Sequence, residues 1–228
     1  MPDASSNPQL LRSLGKLARG LSALFWGLPA ALIICAETAK VDMLRPLGVL
    51  PVLVINGLLL FGLWQMADFQ SQERPWRNAL DRAKLLAIVN LGLSPFLFWY
   101  SRLPDQPLFQ AAVALLFLSA LLFLYNLNVV LRQLGAMLPD ETLRQETRQF
   151  TWLNRWLIVG WLLLTVGTMV VGLFFDPAAH FSPVFLFWLQ HVRVTLQLVL
   201  GLAPLAITMA LLWKTKEVIL DGVFGSRH

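Results

Sequence analysis

The chain has 228 residues, of which 57% are hydrophobic and 14% charged, and its formal net charge is +5. A soluble domain carries about 25% charged residues, so a water-soluble globular protein of this size is excluded: there is too little charge to cover it. The single cysteine, Cys35, excludes an intramolecular disulfide framework. The basic residues recur between apolar runs and form no patch with interleaved aromatics, so no nucleic-acid partner is expected.

Apolar runs separated by short charged connections are the pattern of a polytopic membrane protein. A hydrocarbon core about 30 Å thick takes about 20 helical residues. Six stretches meet or approach that length: 20–37, 47–66, 84–101, 108–131, 152–175 and 195–213. Lipid-exposed backbone must satisfy its own hydrogen bonds, and no run alternates as a barrel strand does. The expected fold is all-α, a bundle of six transmembrane helices over 20–213, with a basic segment at 1–19 before it and a tail at 214–228 after it.

Orientation follows from Lys and Arg. Fourteen fall in the N-terminal segment, in the second and fourth connections with Arg155 just beyond, and in the C-terminal tail; Lys40, Arg45, Arg102 and Arg193 fall on the other side. The positive-inside bias then puts both termini in the cytoplasm, and the expected location is a bacterial cytoplasmic membrane. In this frame Trp64, Trp76, Trp152, Trp156 and Trp213 lie near the inner interface and Trp99 and Trp188 near the outer one, as an aromatic belt. Trp26 and Trp161 lie deeper and are expected to be packed.

In chain order, the first element is amphipathic. Leu10, Leu14, Leu17 and Leu21 share a helical face, with Arg12, Lys16 and Arg19 opposite. Two readings stand: a helix lying on the anionic inner leaflet, or the basic flank of span one. The "AETA" at 36–39 resembles a signal-peptide end only superficially, and an uncleaved span is preferred. Within span one, Ala23, Gly27, Ala31 and Cys35 recur every four residues, and Ala39 continues the row. Residues so spaced stack on one face and let a second helix approach closely, either within the chain or from a partner.

Amides come next. Asn90 in span three, Tyr125, Asn126 and Asn128 in span four and Asn154 in span five fall in the inner third of the membrane. They are expected to form a polar cluster, read either as a cytoplasm-facing vestibule for a small polar ligand or as interhelical hydrogen bonds that hold the bundle, which is preferred. Asn56, deeper in span two, is expected to make a contact of the same kind. Prolines 29, 51, 95 and 204 lie within or near the starts of spans and can kink them.

The connection "AMLPDETLRQETRQF" at 136–150 interrupts this apolar pattern. Pro139 should end the preceding helix, Asp140 should cap a new one, and Glu141 suits its first turn. Asp140, Glu141, Leu143, Arg144 and Arg148 mark this short helix as a docking face for a cytoplasmic partner or as a solvated connector. Leu143, Thr147 and Phe150 give it a narrow apolar stripe. The run 181–213 is too long for one span and too short for two, so an outer amphipathic segment at about 182–193 is expected to lead into span six.

No catalytic residue, cofactor-binding residue or metal ligand is expected. The phosphate-binding, dinucleotide, zinc-protease and serine-hydrolase motifs are missing. Glu37 stands at the outer end of span one, and no carboxylate or histidine falls near the middle of a span, where a proton-coupled transporter would carry one. Asp176 and His180 in the outer loop are the nearest approach to an acid/base pair. The leading expectation is a non-enzymatic scaffold or accessory subunit of a membrane assembly. Its partners would be membrane lipids and a protein or a second copy, met through span one or the cytoplasmic connections. The alternative is a channel or carrier for a small neutral or weakly polar solute, and a lipid-acting enzyme stands third.

Overall fold

The structure is a computed structural model, and it describes residues 8–40, 46–69, 72–137, 141–174 and 183–224. Its regular elements are seven helices: α1 Pro8–Lys40, α2 Leu50–Met66, α3 Arg74–Leu93, α4 Pro95–Arg102, α5 Pro107–Met137, α6 Glu141–Phe174 and α7 Pro183–Phe224, with no strand among the described residues. Proline opens α2, α3 and α4 at a first-turn position, where its missing N–H leaves no helical bond unmade.

Five helical segments are long and apolar enough to cross a membrane: Arg12–Ala39, Arg74–Arg102, Pro107–Met137, Arg144–Gly167 and Gln190–Leu220. The second of these joins α3 and α4 across a break one residue long. Pro95 has no N–H to give the Leu91 carbonyl, and the Ser94 hydroxyl takes its place, donating to that oxygen at 2.9 Å. This side-chain substitution keeps the break small. With 17 residues, α2 is the shorter apolar helix, at the lower end of what a membrane crossing needs.

The main core lies where α1, α2, α3 and α5 meet, with the last turns of α7 against it. Leu17, Leu21 and Leu24 are fully buried there. Leu14, Leu17 and Leu21 of the N-terminal leucine stripe thus pack on the chain itself, and α1 runs unbroken from Pro8 into the apolar segment. Of the two readings of this segment, the unbroken helix favours the basic flank of span one, and Lys16 pairs with Asp68 at 2.5 Å. The α1–α2 contact is the most extensive in the bundle.

Two tryptophans depart from expectation. Trp76 is 1% exposed and packs edge-on against Phe69 in the core, so it does not belong to the belt. Trp26 is 68% exposed, touching Phe25, so it is not packed inside. Their positions on the helix circumference, which depth alone does not fix, decide both. Trp161 stacks 4.5 Å from Phe117, while Trp64, Trp99, Trp152, Trp156, Trp188 and Trp213 are exposed as a belt requires.

Candidate functional site

A group of buried polar side chains lies where α5, α6 and α7 cross, while Thr38, Asn90, Ser94 and Ser119 are buried elsewhere. On α6, Thr147, Thr151, Asn154 and Ile158 are all buried, and their spacing of four, three and four makes them one stripe. On α7, Thr208, Leu211, Leu212, Thr215 and Ile219 form a second buried stripe. The α7 threonines return their hydroxyl protons to their own helix, Thr208 to the Pro204 carbonyl and Thr215 to that of Leu211, each at 2.7 Å. Such back-bonding lets a hydroxyl sit in an apolar helix without an orphan proton.

Thr208 is the junction. Asn128 of α5 donates through Nδ2 to the Thr208 Oγ1 at 2.7 Å and to the Leu124 carbonyl of its own helix at 2.8 Å. Asn154 of α6 donates to the same hydroxyl at 3.3 Å. One proton given and two bonds accepted exhaust the capacity of a hydroxyl. Beside it, Thr151 Oγ1 donates to the Thr147 carbonyl at 2.7 Å and lies 3.4 Å from that of Asn128. Three helices are tied at one atom.

Asn128, Asn154 and Thr208 each have 0% exposure, so nothing as large as a water molecule touches them. The Oδ1 atoms of Asn128 and Asn154 have no donor, and a buried amide oxygen left so costs about 1–3 kcal/mol. The junction is neutral and closed. It can clamp helices, and in this conformation it presents no open surface to a solute.

Of the five residues expected to cluster, Asn128 and Asn154 are brought together. Asn90, on α3, is 3% exposed with its Oδ1 unpaired, and is not joined to them. Asn126 is half-buried and donates to the Leu122 carbonyl of its own turn at 2.8 Å, and Tyr125 is half-buried. Asn56 likewise bonds its own helix, at the Val52 carbonyl, 2.9 Å away. Thr208 and Thr151 were not among the expected residues. The available signal was Thr208 four residues after Pro204, at the depth of both asparagines on the one remaining helix.

The small-residue row is used inside the chain. A Cβ added to Gly27 would stand 2.8 Å from the Leu59 Cδ2 of α2. Ala23 is half-buried, Ala31 packs on the main core, and Cys35 joins Ala39 against Val52, Leu97 and Leu116. The tightest approach lies at Gly20, outside the four-residue row: its Cβ would fall 2.6 Å from the Gly62 carbonyl oxygen. Gly20 and Gly27 are seven apart, nearly two full turns, and so share a face.

The connector helix is the start of α6. Glu141 is its first residue, and Glu141, Arg144 and Arg148 are exposed. Arg144 donates to the Ala136 carbonyl in the last turn of α5 at 3.2 Å, satisfying an oxygen that the helix end leaves open. Thr147 and Phe150 turn inward, Thr147 against Gly135 and Phe150 against the main core, so their part of the apolar stripe is covered by the chain. The Glu146 carboxylate pairs with Lys214 of α7. Asp140 and Pro139 lie outside the described residues, as do Asp176 and His180; the helix position of Leu143 is described, its side chain is not.

Among the described residues, no three His, Cys, Asp or Glu side chains gather as a metal site would require. Comparison with family models, with curated proteins and with solved structures found no match.

Proposed function

We propose that the chain is a non-enzymatic component of a membrane assembly, crossing the bilayer six times with α2 as the second span and both termini in the cytoplasm. The bundle joins a partner helix, or a second copy of itself, through the first half of α7. The observation that carries this reading is the exposure of that half: every side chain described from Trp188 to Val199 is exposed.

Trp188, Val192, Leu196 and Val199 make one face, Gln190 lies opposite, and Arg193 stands at the edge beside Leu196. A helix of this composition lying flat at the interface would need no partner. This one continues without a break into the apolar span, for 42 residues in all, or about 63 Å at 1.5 Å per residue. Its first half therefore continues the helix of the span, with Pro204 between the exposed and the buried parts.

The carrier reading draws support from the unpaired amide oxygens and from Pro204, but the closed junction weighs against it. Native mass spectrometry from mild detergent tests the proposal. The expected species is heavier than the 25.7 kDa chain, and it falls to monomer when Val192, Leu196 and Val199 are changed together to serine. A lone monomer in the wild type sinks the reading. Reporter fusions at both termini should be active on the cytoplasmic side.

A further inference from the structure

A shallow, open hollow of about 630 Å³ runs along α6 where its charged start meets its apolar length, lined by Gln145, Arg148, Gln149, Phe150, Trp152 and Leu153. Its polarity is graded. Gln145, Arg148 and Gln149 form one end, and Trp152 and Leu153 the other. One turn further along lie Arg155 and Trp156, both exposed, and the rings of Trp152 and Trp156 meet edge to face at 6.1 Å. Arg148, Trp152 and Arg155 are spaced four and three, on one side of the helix.

The charge of this face is uncompensated. Glu146 is taken by Lys214, and no described carboxylate pairs with Arg148 or Arg155. A guanidinium is a planar fork that fits a phosphate through two parallel hydrogen bonds. Tryptophan prefers the headgroup level, where one edge of its ring is wet and the rest apolar.

We propose that this face of α6 is a binding site for an acidic glycerophospholipid. Arg148 and Arg155 hold the phosphodiester, Gln145 and Gln149 meet the polar headgroup, and the acyl chains run past Trp152 and Leu153 along the apolar part of α6. The graded hollow fits an amphiphile better than a free anion, which would leave its apolar half empty. The proposal needs α6 to cross a membrane, and it does not depend on the assembly role of α7.

Native mass spectrometry of the full chain, titrated with phosphatidylglycerol or phosphatidylcholine, tests it. The expected result is preferential retention of phosphatidylglycerol, weakened roughly fivefold by each of Arg148→Gln and Arg155→Gln. Arg148→Lys should lose part of the preference, since charge remains without the fork. Arg74→Gln with Arg82→Gln, exposed arginines on α3, should leave it unchanged. Equal retention of the two lipids overturns the site. An equal loss in the α3 control also overturns it, because general attraction to a basic surface then suffices. So does full competition by inorganic phosphate, which would mark a free-anion site. Should the glutamine variants fail to fold, Trp152→Leu carries the test and must lower phosphatidylglycerol retention.

Discussion

Two seams of this bundle are closed by different means. Between α1 and α2, small residues let backbones approach until Gly20 and Gly62 nearly touch, and leucines fill the flanks. Where α6 and α7 meet α5, threonines and asparagines hold the helices through one hydroxyl. A third of the most apolar part of α1 is buried, 33%, against 17% for α6 and 19% for α7. Lipid is as apolar as leucine, so shape fit and hydrogen bonds are what join helices in a membrane. The first seam has used its shape fit completely. At the second, the buried stripe of α7 runs from Thr208 to Ile219, while the side chains described from Trp188 to Val199 are exposed.

The contrast breaks first at glycine. Gly20→Ala should cost about 2–3 kcal/mol in a reversible detergent unfolding titration, because the backbone oxygen it meets cannot step aside. Gly57→Ala, on the same seam's second helix but with nothing within 4 Å of its added Cβ, should be neutral or stabilising by about 0.5–1 kcal/mol. Equal effects at the two positions would mean that the close approach is not what holds α1 to α2.

Thr208→Val keeps the shape and removes the junction, so that Asn154 loses its acceptor and Asn128 keeps only the Leu124 carbonyl. It should cost about 1–3 kcal/mol, and Thr208→Ser, which keeps the hydroxyl, should recover most of that. Lys214→Gln removes a half-exposed pair with Glu146 and should cost less than about 1 kcal/mol, less still in high salt. The smallest effect is expected at Asn154→Leu. Its one interhelical bond is long and its Oδ1 is unpaired, so an apolar side chain of similar size should be neutral within about 1 kcal/mol. A loss above about 2 kcal/mol would show that the amide oxygen has a donor.

Membrane class, all-helical fold and the apolar segments were legible because length and hydropathy decide them. Circumference was less so. Depth put Trp76 in the belt and Trp26 inside, whereas the direction each faces does the opposite, and direction depends on which neighbours a helix meets. The four-residue row found Gly27 and missed Gly20, since 3.6 residues per turn makes a spacing of seven as good as a spacing of four. Asn128 and Asn154 were found by matched depth. Thr208 was passed over because a threonine that bonds its own helix has no sequence mark beyond its place. Leu14, Leu17 and Leu21 share a face by spacing alone, and what covers that face depends on tertiary contacts.

The claim that most needs a direct test is that α7 is met by protein along its first half. A photo-crosslinking residue placed at Val192, Leu196 or Val199, in native membranes, should give a protein adduct of one defined mass from all three sites. The same residue at Leu85 or Ile88, exposed on α3, should capture lipid alone. Lipid-only adducts from the three α7 sites would contradict the account and leave the chain a self-sufficient bundle.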